Sequence, residues 1–155
     1  MLLGRVSLSF AGTANANIHW MKTILLADDD ASVRESITKV LKSAGYEVVL
    51  AAGGLEAIAR FEGQSIDLVL LDLGLPNLNG WEVCRHFTHE RPRVPVVAIT
   101  GQSGQYPSAL AAGASALMEK PLDAHRVLHI IQELLDKPTA SDSLRPSGIF
   151  YHVGP

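Results

Sequence analysis

The chain is 155 residues long, enough for one domain with a full core and short extensions. Apolar residues make up 47% and charged ones 19%, which excludes an intrinsically disordered chain; a net charge of -3 leaves no basic field for nucleic acid or an anionic membrane surface. A single cysteine, Cys84, rules out an internal disulfide framework, and every apolar run falls short of the ~20 residues a membrane-crossing helix needs.

Residues 1–20 read as an N-terminal extension, disordered or translated from an upstream start codon with Met21 as the original beginning. Ala14-Asn15-Ala16 resembles a signal-peptidase site, but the apolar segment before it is broken by two serines and a glycine, which weakens that reading. From Lys22 the pattern becomes regular. Lys22–Ala27 is a short β-rich run that ends on Asp28-Asp29-Asp30. Asp30 is placed to cap a helix with the apolar stripe Val33, Ile37, Val40, Leu41, Ala44 and a stop at Gly45. A second strand spans Tyr46–Ala51, and Gly53-Gly54 opens a helix with Leu55, Ile58 and Phe61 inward and an end at Gly63. The continuous apolar run Leu68–Leu71 predicts a strand covered on both faces, ending on Asp72 and passing into a loop punctuated by Pro76 and Asn79-Gly80.

Gly80 leads into a third helix with Val83 and Phe87 toward the core, Cys84 beside them as an inert thiol, and Trp81 as a packing anchor. Val94–Ile99 is a fourth strand ending on Thr100-Gly101, followed by a Gly/Ser/Gln-rich loop and a short helix from about Pro107 to Gly113. Ala114–Glu119 is a weak fifth strand ending on Lys120-Pro121, and Asp123 caps a last helix with Val127, Ile130, Ile131 and Leu134 as its stripe. Residues 137–155 are rich in Pro, Ser and Gly and read as a flexible tail whose one sticky part is Ile149-Phe150-Tyr151. The domain itself is expected over residues 21–136.

Five strand–helix alternations with short connections predict an α/β fold: a doubly wound five-stranded parallel sheet of order 2-1-3-4-5, with helices on both faces. In that order Asp28 and Asp29 come beside Asp72, the fourth strand brings Thr100, and the fifth brings Lys120 to the same carboxyl edge. Three carboxylates in one crevice repel unless a cation is present, and a hard divalent ion such as Mg2+ answers that need. Asp72 then reads as an in-line nucleophile for a phosphoryl group, with Lys120 and Thr100 contacting the phosphate and Gly101 leaving room beside it.

Ile-Leu-Leu-Ala-Asp28-Asp29-Asp30, Leu-Leu-Asp72-Leu-Gly-Leu-Pro76-Asn-Leu-Asn-Gly80, Ile-Thr100-Gly101 and Glu-Lys120-Pro121 together resemble the receiver domain of two-component response regulators. The resemblance covers residues 22–136 and implies a cytoplasmic phosphoacceptor, not a turnover enzyme. Asp72 would take a phosphoryl group from a sensor histidine kinase or phosphotransfer protein. It further implies that Asp29, Asp72 and the main-chain carbonyl of Gly74 hold Mg2+ directly, that Asp28 does so through water, and that the Lys120-Pro121 bond is cis. Output would run through the surface of the fourth helix, fifth strand and fifth helix to an unknown downstream protein. A homodimer stays open, and neither nucleic acid nor a membrane is expected as a direct partner. No output domain is expected within the chain, since too few residues follow position 136.

Three positions depart from the family pattern. Leu117 stands where the switch, with Thr100, usually has an aromatic residue. The segment from Thr100 to Gly113 is about two residues short, implying a stunted fourth helix, and Asn79 replaces the more common aspartate before Gly80. Two other readings stand beside the phosphoacceptor: a pseudo-receiver used as a docking module, and a Mg2+-dependent phosphatase of haloacid dehalogenase type, motivated by Asp28-x-Asp30. His86/His89 and His125/His129 have helical spacing suited to zinc but no third ligand nearby in sequence, so a solvated or partner-facing helix surface is preferred.

Overall fold

The structure, a computed structural model, describes residues 21–136 and 151–153; the expected extension and most of the expected tail lie outside these residues. Strand and helix alternate as β1 (Thr23–Ala27), α1 (Ala31–Ser43), β2 (Glu47–Ala51), α2 (Gly54–Gly63), β3 (Leu68–Asp72), α3 (Gly80–Glu90), β4 (Val96–Thr100), α4 (Tyr106–Ala111), β5 (Ala116–Glu119) and α5 (Ala124–Asp136). The five strands are parallel in the predicted order β2-β1-β3-β4-β5. A sixth short strand, β6 (Tyr151–Val153), extends the sheet beyond β5. These three residues, within the span expected as a tail, pair Ala116 with Tyr151, Leu117 with His152 and Met118 with Val153.

Alternation along the strands divides the core into two layers. Ile24, Leu26, Leu68, Leu70, Val97, Ile99, Ala116 and Met118 face α1 and α5, where Ile37, Leu41, Val127, Ile130 and Ile131 complete one cluster. Leu25, Val69, Leu71, Ala98 and Leu117 face the other way, onto α2, α3 and α4 through Ala57, Phe61, Val83, Phe87 and Ala109. Both layers are dry, which is why β3 and β4 are apolar without alternation, as parallel strands covered on two faces must be.

Helix starts follow their caps. Asp30 accepts from the N–H groups of Ser32 and Val33 at 2.8 and 3.3 Å, and Asp123 accepts from that of Arg126 at 3.0 Å. The inward face of α2 differs from expectation: Leu55 is 71% exposed, and Gly54, Ala57 and Phe61 occupy the buried positions. Spacing of three and four residues selects 54, 57 and 61 once Phe61 is fixed in the core, and that rotates Leu55 outward. Ala44, expected on the inner stripe of α1, is likewise exposed at the helix end.

Phe61 is the anchor of the α2–α3 layer, with its ring centroid 4.5 Å from that of Phe87 and the Arg91 guanidinium 4.6 Å above its face. Phe61→Ala is expected to lower unfolding stability by about 3–5 kcal/mol. The check is a urea titration in which the midpoint falls at unchanged slope.

Candidate functional site

The carboxyl ends of β1, β3, β4 and β5 carry the polar residues, because the apolar strand interiors stop where the sheet meets solvent. Asp28 is 1%, Asp72 4% and Thr100 4% exposed, the only buried polar or charged side chains among the described residues, while Asp29 points into solvent. One carboxylate oxygen from each of Asp28, Asp29 and Asp72 lies within 4.8 Å of the others. Lys120 Nζ sits 3.1 Å from Asp72 Oδ2 and 3.4 Å from Asp28 Oδ2. All five predicted side chains therefore meet at one edge, with the Lys120-Pro121 peptide bond cis as expected.

The remaining oxygens are held by backbone. Asp28 Oδ1 accepts from the N–H of Asp30 at 2.8 Å, and Asp72 Oδ1 accepts from the N–H of Gly74 at 2.9 Å. Thr100 Oγ1 accepts from the N–H of Gln102 at 3.0 Å and donates weakly to its carbonyl at 3.3 Å. These two-residue turns fix the side chains before any ligand arrives.

Charge is unevenly satisfied. Burial raises the Asp28 pKa above the ordinary carboxylate range; the Asp30 N–H pulls it down, Asp72 pushes it up, and Lys120 pulls it down again. For Lys120, burial works to lower the pKa, but the hydrogen bond and charge of Asp72, together with Asp28, outweigh it and raise the value. One ammonium thus answers three carboxylates. A set of three hard oxygen donors with a charge deficit fits Mg2+ better than a soft metal.

The raised Asp28 pKa has a consequence for folding. Stability from that group is present at low pH and is lost as pH rises through the raised value, so ionised Asp28 carries a penalty at neutral pH. Asn keeps the Oδ1 acceptor for the Asp30 N–H and removes the charge. Asp28→Asn is expected to stabilise the metal-free protein on the order of 1 kcal/mol at pH 7. Thermal unfolding of both forms at neutral and acid pH checks this, since the gain should vanish where Asp28 is protonated.

The site opens into a cleft of about 470 Å³ lined by Asp29, Asp72, Gly74, Trp81, Thr100 and Lys120, among others. Its floor is set by glycine: a Cβ at Gly80 would lie 2.6 Å from both the Cα and the carbonyl oxygen of Leu73, so α3 begins in direct contact with the residue after Asp72. Asn79 caps α3 by accepting from the N–H of Trp81 at 2.9 Å, which gives the departure at position 79 a cap's role. Asn77 holds the loop's one positive φ outside glycine, at 69°.

Trp81 does more than pack. Its indole N–H donates to Gln105 Oε1 at 3.3 Å, tying the start of α3 to the residue before α4 across the cleft. Sequence reasoning missed Gln105, which lies in an uninformative Gly/Ser/Gln stretch. It also missed Arg34, whose guanidinium donates to the Asp28 carbonyl at 2.8 Å; its place one turn after the Asp30 cap was the available signal.

The other expectations sort cleanly. Leu117 is fully buried in the α2–α3–α4 layer, and α4 is only six residues long. Cys84 is fully buried. His86 pairs with Glu62 at 3.0 Å, and His125 and His129 are exposed on α5. Among the described residues the three aspartates are the one group placed to share a metal. No helix among them is long and apolar enough to cross a membrane.

The family model described as response regulator receiver domain matches residues 24–132. The response regulator MprA of Mycolicibacterium vanbaalenii is 35% identical over 121 residues, which is 77% of this chain and 52% of that protein. This chain therefore spans about half the length of that relative. A CheY-like response regulator receiver domain protein from Methanospirillum hungatei superposes with a TM-score of 0.73 at 34% identity, covering 76% of this chain and 95% of that one. The response regulator TrrA of Thermotoga maritima, solved in complex with Mg2+-BeF, gives a TM-score of 0.69 at 28% identity over 74% of this chain and 100% of that one.

Proposed function

Because this chain belongs to the response regulator receiver domain family of two-component systems, we propose that it is a phosphoacceptor switch whose reactive group is Asp72. The observation that carries this is the cluster of Asp28, Asp29 and Asp72 within 4.8 Å, with the Lys120 ammonium 3.1 Å from the Asp72 carboxylate. Asp72 Oδ2, given up by Lys120 as the donor arrives, attacks phosphorus in line, the P–N bond of a donor phosphohistidine breaks, and an acyl phosphate forms while the donor imidazole takes up a proton. Lys120 exchanges one Asp72 oxygen for a phosphoryl oxygen without leaving the site, and the Thr100 hydroxyl turns from the Gln102 carbonyl toward another. Asp29, Asp72 and the Gly74 carbonyl would hold Mg2+ directly and Asp28 through water. When bound, the ion neutralises charge on the transferring group.

The donor is a sensor histidine kinase or a phosphotransfer protein, and the location is the cytoplasm. The downstream partner is a protein that docks on α4, β5 and α5. The same site releases its phosphate by slow hydrolysis and performs no multiple turnover. Acetyl phosphate or phosphoramidate with Mg2+ should add one phosphoryl group to the chain by intact mass. An unchanged mass in a folded, Mg2+-saturated sample would sink the reading.

One observation favours a second reading. Leu117 is a buried aliphatic residue at the switch position, and α4 has six residues, so readout through an aromatic side chain has no carrier here. A pseudo-receiver used as an unphosphorylated docking module, whose partner affinity phosphorylation would not change, would fit this equally. Affinity measured with and without beryllofluoride separates the two. The phosphatase reading is disfavoured, because Asp30 is spent as the α1 cap rather than free for acid–base work.

A further inference from the structure

The sixth strand is attached to the fold in an unusual way. From β1 to β2 the chain moves one way across the sheet with α1 on one face; from β2 to β3, β3 to β4 and β4 to β5 it moves the other way with α2, α3 and α4 on the opposite face. These four crossovers therefore share one hand. β6 lies beyond β5 in the second direction, yet the helix leading to it, α5, packs on the α1 face. A connection that stayed on the α1 face would have the opposite hand to the other four, and such connections are rare in parallel sheets; residues 137–150 separate α5 from β6. β6 is also only three residues long, against five for β3 and β4.

A strand so attached is an addition to a finished sheet. Without β6 the outer edge of β5 presents unpaired backbone groups. The N–H of Lys120 donates to the Thr100 carbonyl of β4 at 2.8 Å. In the β4–β5 ladder, where Val97 pairs with Ala116 and Ile99 with Met118, the N–H groups of Ala116 and Met118 therefore point inward to β4 and that of Leu117 outward, to the β6 side.

We propose that the outer edge of β5 is a strand-addition site whose resident occupant is this chain's own Tyr151–Val153, held as a detachable cap. The partner class it admits on displacement is an extended segment of similar character, apolar or aromatic and free of charge, pairing parallel to β5. In place, the tail strand shields the edge from such segments; as an attached strand it competes at an effective concentration on the order of millimolar.

The test compares the full chain with its His152→Pro/Val153→Pro double variant by amide hydrogen exchange. Adjacent strand N–H groups face opposite edges, so one of the two prolines removes a donor directed at β5. Exchange at Leu117 should accelerate at least tenfold in the variant, with Ala116 and Met118, which bond to β4, unchanged as the internal controls. A peptide of sequence Ser-Gly-Ile-Phe-Tyr-His-Val-Gly-Pro, matching residues 147–155, should restore protection in the variant and leave the parent chain unaffected. Equal exchange at Leu117 in the two proteins, or a peptide that leaves Leu117 unprotected, overturns the proposal. A parent-chain dimer that the double variant loses would assign the strand to a second copy and overturn the cis cap.

Discussion

Asp72→Asn is expected to reduce phosphoryl incorporation from acetyl phosphate or phosphoramidate to background, the largest single effect in this protein. The substitution is close to isosteric, and the amide oxygen still accepts from the Gly74 N–H that Asp72 Oδ1 now binds at 2.9 Å. What disappears is the anionic oxygen able to form the acyl phosphate. The loss is therefore chemical rather than structural, and unchanged circular dichroism and unfolding midpoint would document that. Label that persists in Asp72→Asn places the phosphoryl group elsewhere and removes the proposed function. Turnover of small phosphate esters that survives in Asp72→Asn and is lost in Asp28→Asn would instead point to the phosphatase alternative.

Gly80→Ala should be the most damaging single-methyl substitution at the site, costing about 2–3 kcal/mol in unfolding stability. A Cβ there meets the Leu73 Cα and carbonyl oxygen at 2.6 Å, and both are backbone atoms that no rotamer change can move. Relief requires shifting the chain that follows Asp72 or tilting the start of α3, which Asn79 caps. Either shift disturbs Gly74, so phosphoryl incorporation should slow as well. Gly101→Ala supplies the contrast. Its Cβ would meet nothing within 4 Å, so stability should change by less than ~0.5 kcal/mol. Any slowing of phosphorylation in that variant then reports crowding of the phosphoryl group itself. The pair is read by urea titration alongside intact-mass time courses, and equal stability of the two variants would refute the packing argument.

Leu68–Leu71 read as a strand covered on both faces that ends on Asp72 at the sheet rim, and with it the five-strand order and the meeting of Asp28, Asp29, Asp72, Thr100 and Lys120 were legible in the sequence. The reason is local: strand periods, caps and short connections fix topology, and topology fixes which strand ends are neighbours. Departures at Leu117 and in α4 were legible only through the family resemblance, as positions counted from its motifs. Tertiary structure decided the rest. Leu55 and Phe61 are equally apolar in a pattern, and only the Phe61–Phe87 contact selects which face of α2 turns inward. The Trp81–Gln105 hydrogen bond joins residues 24 positions apart through a loop with no periodicity to read. The pairing of Tyr151–Val153 with β5 depends on an edge that exists only once five strands are assembled. Contacts of that kind are set by which surfaces the completed fold leaves unpaired, and no local pattern in the chain encodes them.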